Sequence, residues 1–203
     1  MRITAEAKAE TRQRILRTAT DLFRSRGWYS TTTREIAITA GIATGTLFNY
    51  FPTKEAIVAD LIADAMKRAG EGFYAAERDA NSLEADLFTL IWSGFSKLRE
   101  FRNFLGPAME TIFSPLARSS AGSPGDAIRA DHLEQVDAIV TTHGFPGPRS
   151  VVAVQLYWTL FLGVFAFWVE DDSPGQEDTL ALLDRSLSLF VASLGMVDER
   201  KTQ

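Results

Sequence analysis

Between Thr31 and Lys54 the chain reads TTTREIAITAGIATGTLFNYFPTK, a stretch whose polar side chains are suited to meeting a polyanion. Four residues left outward by a short helix over about 44–51, namely Thr44, Thr46, Asn49 and Tyr50, can approach base edges and phosphates. Gly45 adds a backbone from which nothing projects. Lys54 opens the next helix, where its ammonium and the orphan amides of the first turn can together hold a phosphate. Thr32 can cap a preceding helix over about 33–40 whose third residue is Glu35, so that each satisfies a backbone N–H of the other's position. Two short helices joined at Gly41 form a helix-turn-helix, and the second is short enough to enter a major groove about 12 Å wide.

Other chemistry has little to build on. The two histidines, His132 and His143, lack zinc-site spacing such as H-E-x-x-H, although His132 lies near Asp131 and Glu134. No G-x-S-x-G, phosphate loop or dinucleotide fingerprint occurs. With no cysteine, the chain has no disulfide scaffold, thiolate metal site or sulfur nucleophile. The expectation is a non-enzyme with no catalytic residue, metal or cofactor.

The elements that must position these residues read as helical throughout, an all-α fold of about nine helices. Ile15, Leu16, Ala19, Leu22 and Phe23 recur at helical spacing and stop at Gly27. In the motif, Ile36, Ala37 and Ala40 face inward, Ile42 plugs the core, Leu47 and Phe51 follow, Pro52 ends the helix and Thr53 caps the next. Further helices are expected at 54–80, 82–103, 105–113, 126–142, 148–170 and 175–194. The run SPLARSSAGSPG over 114–125 reads as a loop. Gly70 and Gly72 interrupt the long helix after the motif, as a hinge or as a small-residue packing contact. Strand alternation and internal repeats are missing.

Charge follows the same division. The chain of 203 residues has a formal charge of −5, but residues 1–55 carry +4 and residues 56–203 carry −9. The whole-chain acidity, which taken alone argues against nucleic acid, therefore hides a basic head on an acidic body.

The segments LFRSRGW, TTTREIA and AGIATGTLFNYFPTKEAI, followed by an all-helical remainder, resemble the N-terminal domain of the TetR family of transcriptional regulators. The resemblance covers about residues 10–60. It implies a three-helix DNA-binding domain over 1–55 and a ligand-binding and dimerisation domain over 56–203. It also implies that Thr33 and Arg34, beside the cap Thr32, contact phosphate or base, and that Thr44, Gly45 and Thr46 face the groove. Asn49 and Tyr50 would touch bases or backbone, and Lys54 would bind phosphate. Phe48 stands where the family usually has tyrosine, leaving apolar contact, for example to a thymine methyl, in place of a phenolic hydrogen bond. Ala43 replaces a common small polar residue at the start of the recognition helix, which weakens that cap by about 1 kcal/mol.

In the body, Trp92, Met109, Phe113, Tyr157 and Phe161 are the candidate lining of a pocket for a small hydrophobic or aromatic effector, or are plain core. Arg102, Asn103, Glu110, His132 and Gln135 are candidate polar partners. Leu180, Leu183, Leu187, Phe190 and Leu194 form a helix-packing seam, and Ser173, Pro174 and Gln176 read as its capping box. With 151–169, this helix offers half of a four-helix dimer interface in which Thr159 and Gly163 permit close approach. The run 151–169 is nearly long enough to span a bilayer, but its stripe of Gln155, Thr159 and Gly163 and its acidic flank favour a buried helix. Met1 to Arg14 lacks a secretory apolar region, so a cytoplasmic, membrane-free setting is expected. The combined expectation is a homodimeric, ligand-responsive regulator, most simply a repressor, on a pseudo-palindromic double-stranded operator. The competing reading is a helical small-molecule-binding protein that no longer reads DNA.

Overall fold

The computed structural model describes residues 4–76, 82–113, 124–145 and 151–199, and every regular element among them is helical. The helices are α1 (Ala5–Arg26), α2 (Thr33–Thr39), α3 (Thr44–Tyr50), α4 (Lys54–Ala75), α5 (Leu83–Leu98), α6 (Arg102–Ile112), α7 (Pro124–Thr142), α8 (Val151–Glu170) and α9 (Glu177–Glu199). Short 3-10 turns occupy Arg99–Phe101 and Pro174–Gln176. The expected loop lies outside the described residues up to Ser123, as do the expected helix ends at 77–80 and 148–150. The chain forms two compact units, residues 1–64 with 100–128, and residues 65–99 with 129–203.

In the first unit, Ile15, Ala19, Phe23, Ile36, Ala37, Leu47, Phe51, Ile57 and Val58 pack a small core around α1 to α3 and the start of α4. Gly27 ends α1 at φ 81° and Gly41 makes the turn between α2 and α3 at φ 68°, a region that disfavours any side chain. Helix α6 joins this unit through α1: Phe23 meets Phe104 at 5.0 Å, and Arg24 binds both the side chain and the carbonyl of Glu100. The sequence pattern placed residues 82–103 in one helix and opened the next at 105. The chain instead breaks at Arg99–Phe101, where a tightened turn buries Phe101, and α6 carries Pro107 inside it.

In the second unit, α8 and α9 pack along their length and α5 packs on α9. Phe95 lies at the centre of an aromatic cluster, 5.3 Å from Phe165 and 5.0 Å from Trp168. Leu183, Leu187, Phe190 and Leu194 are buried within the chain, so the expected seam is internal packing and the outward stripe of α9 carries Leu182 and Leu189 instead. The cap of α9 is also different from the expected box. Gly175 and Gln176 have φ of 64° and 60°, which swings the Ser173 hydroxyl onto the Asp178 amide. Asp171 takes over: its carboxylate accepts from the amides of Ser173 and Thr179 and from the Thr179 hydroxyl. Those hydrogen bonds hold its pKa far below the ordinary carboxylate range. Helix α8 is long and apolar enough to cross a membrane by length and composition alone, and it buries Tyr157, Trp158, Phe161, Val164, Phe165 and Trp168 against protein. Gly70 is a packing contact: a Cβ there would lie 2.2 Å from Gln135 Oε1, whereas Gly72 has open space around it.

Candidate nucleic-acid interface and effector residues

The helix-turn-helix is set by local hydrogen bonds that the sequence already implied. Thr32 Oγ1 accepts from the Glu35 amide at 3.2 Å, and Glu35 Oε2 accepts from the Thr32 amide at 3.0 Å. The bonds from Thr32, with Arg26 at 2.8 Å, hold the Glu35 pKa below its usual value. Ala43 starts α3 without a side-chain cap, and the Thr53 hydroxyl accepts from the Ala56 amide at 3.1 Å. With Leu47 buried beneath it, α3 turns Gly45, Phe48 and Asn49 outward, with Thr44, Thr46 and Tyr50 half-buried at its flanks. Phe48 is 46% exposed, so its ring is available for apolar contact. On α2, Arg34 is exposed and Thr33 half-buried.

The basic side chains sort into two sets that sequence alone did not separate. Arg12 pairs with Asp60, Arg24 with Glu100 and Arg26 with Glu35, so these three arginines already have carboxylate partners. Lys8, Arg14, Arg17 and Arg34 are exposed and form no ion pair among the described residues. Lys54 is tied to its own domain: its ammonium donates to the carbonyl of Trp28 at 2.8 Å and of Thr31 at 3.3 Å, and lies 4.2 Å from the centre of the Trp28 ring. Thr31, buried in the same loop, donates its hydroxyl to Gly27 O at 2.9 Å. The loop that leads into α2 is thus clamped from the first residue of α4, leaving one ammonium N–H for a phosphate.

The five expected effector residues divide between the units. Met109, buried, and Phe113, half-buried, belong to the first. Trp92, Tyr157 and Phe161 belong to the second, where Tyr157 and Phe161 stack at 6.3 Å and Trp92 reaches Phe161 through Phe95. The buried His132 joins them, its ring centre 4.3 Å from that of Phe161 and its Nε2 2.8 Å from Tyr157 Oη. Burial pushes the His132 pKa down to about 3 and the Tyr157 pKa up. Among the described residues no cluster of His, Asp and Glu could hold a metal ion.

A basic helix-turn-helix with an exposed second helix, alongside a body whose described elements are all helical, is the architecture these residues define. Residues 15–61 match the family model of bacterial regulatory proteins of the tetR family, and residues 149–197 match that of the tetracyclin repressor-like C-terminal domain. The chain is thus similar to the tetR family over residues 15–61 and over residues 149–197. Over 61 residues it is 38% identical to the HTH-type transcriptional repressor KstR2 of Mycolicibacterium smegmatis, a match that spans 30% of each chain. The fold is shared with FadR of Thermus thermophilus, a TetR family repressor solved in complex with lauroyl-CoA, at a TM-score of 0.69 and 23% identity over 89% of this chain and 93% of that one. A TetR regulator from Rhodococcus sp. RHA1 gives 0.66 and 22% over 90% and 97%. FadR of Bacillus subtilis, in complex with stearoyl-CoA, gives 0.57 and 22% over 88% and 97%.

Proposed function

We propose that this chain is a homodimeric transcriptional repressor that binds a pseudo-palindromic operator and leaves it when a small apolar effector enters the helical body. The observation that carries this reading is the outward face of α3, where Gly45, Phe48 and Asn49 stand clear of a core closed by Leu47. Thr44, Thr46 and Tyr50 flank the groove-facing stripe, Thr32 and Thr33 open α2 beside Arg34, and the third N–H of Lys54 meets a phosphate. Arg14, Arg17 and Arg34 add the unpaired positive charge that phosphate contact requires. One such domain reads one half-site, and half-sites lie about 34–36 Å apart or a multiple of it, so the function needs two copies.

The second copy has a face to dock on. Of the ten large apolar residues exposed among those described, six lie on α8 and α9: Val151, Val152, Leu156, Phe167, Leu182 and Leu189. Gln155, Thr159, Gly163 and Phe167 recur every four residues along the exposed side of α8, with Gly163 open to close approach. Pairing these faces would bury the apolar stretch of α8 in a protein interface, which fits a cytoplasmic protein. The ligands of the two FadR neighbours support an acyl-chain compound as effector, and the aromatic cluster around Phe161 suits such an apolar guest. No reaction on the ligand is required.

The test is a gel shift with the DNA flanking the chain's own gene over a series of salt concentrations. A repressor binds one fragment far more tightly than the others, with affinity falling steeply with salt. Equal, weak affinity for every fragment would make the chain a ligand-binding protein that does not read DNA.

A further inference from the structure

On one side of α7, Arg129, His132 and Gln135 follow at intervals of three and form an arc. At one end, Arg129 reaches toward α8, donating from Nη2 to Gln155 Oε1 at 3.2 Å, with its guanidinium 5.6 Å from the centre of the Trp158 ring. At the other end, Gln135 lies against α4, its Oε1 directly over Gly70. His132, 1% exposed, sits between them among Tyr157, Trp158 and Phe161. Each of the three residues holds one buried polar atom without a partner: Arg129 Nε, His132 Nδ1 and Gln135 Oε1. A buried group left unpaired is costly, so three in a row within one helix are a standing strain on the fold.

The protonation of the pair follows from counting. If the Tyr157 hydroxyl donates to His132 Nε2, one N–H, on Nδ1, is left over. If Nε2 donates to Tyr157, both the phenolic hydrogen and the Nδ1 lone pair are left over. The first arrangement strands fewer groups, and a neutral ring is what burial enforces. The arc therefore offers two donors, Arg129 Nε–H and His132 Nδ1–H, and one acceptor, Gln135 Oε1, beside aromatic rings.

We propose that this arc is the polar recognition strip of the effector site, and that the effector is an apolar molecule bearing a carbonyl oxygen (ketone, ester, thioester or carboxylate) that accepts from Arg129 and His132. The assignment rests on the ligand-responsive reading above and adds to it the chemistry being read. Pairing at Arg129 Nε and His132 Nδ1 removes that part of the cost which the two donors impose on the free protein. A hydrocarbon of the same shape gains only burial, and a site built to hydrogen-bond rejects a guest that leaves its buried groups unpaired. The same accounting gives Gly70 its reason, since any side chain there would displace the Gln135 carboxamide.

The test compares 4-phenylbutan-2-one and dodecanoyl-CoA with butylbenzene, on the full chain and on a variant carrying His132→Phe with Tyr157→Phe. Replacing both members of a buried pair by rings of similar shape is close to neutral for folding, and Arg129→Met, which removes the other donor at a half-buried position, provides a second variant should the double one fail to fold. The wild type is expected to take at least one carbonyl probe about tenfold or more tightly than butylbenzene, read by thermal shift and by release from the operator fragment. In either variant that preference falls to about threefold or less while the melting temperature without ligand holds or rises. Equal affinity for hydrocarbon and carbonyl probes, or a preference that survives both substitutions, overturns the strip and leaves the ligand-responsive reading standing. Binding of none of the three probes by the wild type overturns both.

Discussion

Replacing Lys54 by methionine separates two roles that the same residue can play. Methionine keeps the stem and the helix propensity at the start of α4 but removes the ammonium. If Lys54 is chiefly the clamp on the loop into α2, the loss is structural. A hydrogen bond from a charged donor is worth about 1.5–3 kcal/mol, and the 2.8 Å contact to Trp28 O qualifies in full. The contact to Thr31 O, at 3.3 Å, is past the usual range and adds little. The cation–π contact at 4.2 Å adds about 0.5–1 kcal/mol at a half-exposed position. Because the contacts share one group, the sum is about 2–3 kcal/mol, which for a chain of this size corresponds to a fall of about 4–12 °C in Tm. A residue that only neutralises a phosphate would leave Tm unchanged and lower the slope of log affinity against log salt by about 1. Thermal unfolding and a salt series on the operator fragment together decide. An unchanged Tm with a slope reduced by one would refute the clamp.

Four further outcomes follow from the same contacts. The folded chain holds His132 neutral down to about pH 3, while the unfolded chain protonates it near 6.5; stability is therefore complete above 6.5 and drains away below it, by up to about 1.4 kcal/mol per pH unit. Unfolding free energies from urea titrations at pH 7 and pH 5 should differ by about 2 kcal/mol more in the wild type than in the His132→Phe, Tyr157→Phe variant, and identical pH dependence would contradict the burial. At Gly163 an added Cβ finds open space, and helix propensity rises by most of the about 0.8–1 kcal/mol that separates glycine from alanine, so Gly163→Leu should stay folded and run as a monomer in light scattering; a retained dimer would place the interface elsewhere. Phe48→Tyr, which restores a phenolic hydroxyl on an exposed ring, should raise affinity for all fragments alike, whereas Asn49→Ala should change which fragment is preferred; the opposite pattern in a competition gel shift would reverse their roles. Asp171→Asn should lower Tm at pH 7. It should also remove an acid limb, because a carboxylate held below its ordinary pKa stabilises above that range and loses its contribution as pH falls through it.

The motif was readable because its contacts are local. The capping box spans three residues, Gly41 needs only its own φ, and Pro52 acts on its own turn, so the caps and turn of residues 31–54 could be read directly, whereas the Lys54 clamp, which reaches back to Trp28, could not. The body was readable as helices but not as faces. Leu183, Leu187 and Phe190 have the spacing of a seam, and that spacing is the same whether the partner is α8 of the same chain or a second copy. Burial shows it to be the former. The α9 cap failed for a related reason: Ser173, Pro174 and Gln176 have the right order, but the left-handed backbone at 175–176 hands the role to Asp171, and sequence order does not report a backbone reversal.

By its sequence alone, the chain determined an all-helical fold, a helix-turn-helix with its buried and outward faces, and a basic head on an acidic body, since these depend on residue type and on neighbours within a turn or two. Only the tertiary structure decided how that charge is spent, with Arg12 on Asp60, Arg24 on Glu100 and Lys54 on the carbonyl of Trp28. It alone assembled Arg129, His132 and Gln135 into an arc of unpaired atoms beside Tyr157 and over Gly70. These partners lie 25 to 76 positions apart, where no local periodicity constrains who meets whom, and burial, which makes an unpaired atom costly, exists only once the chain has packed.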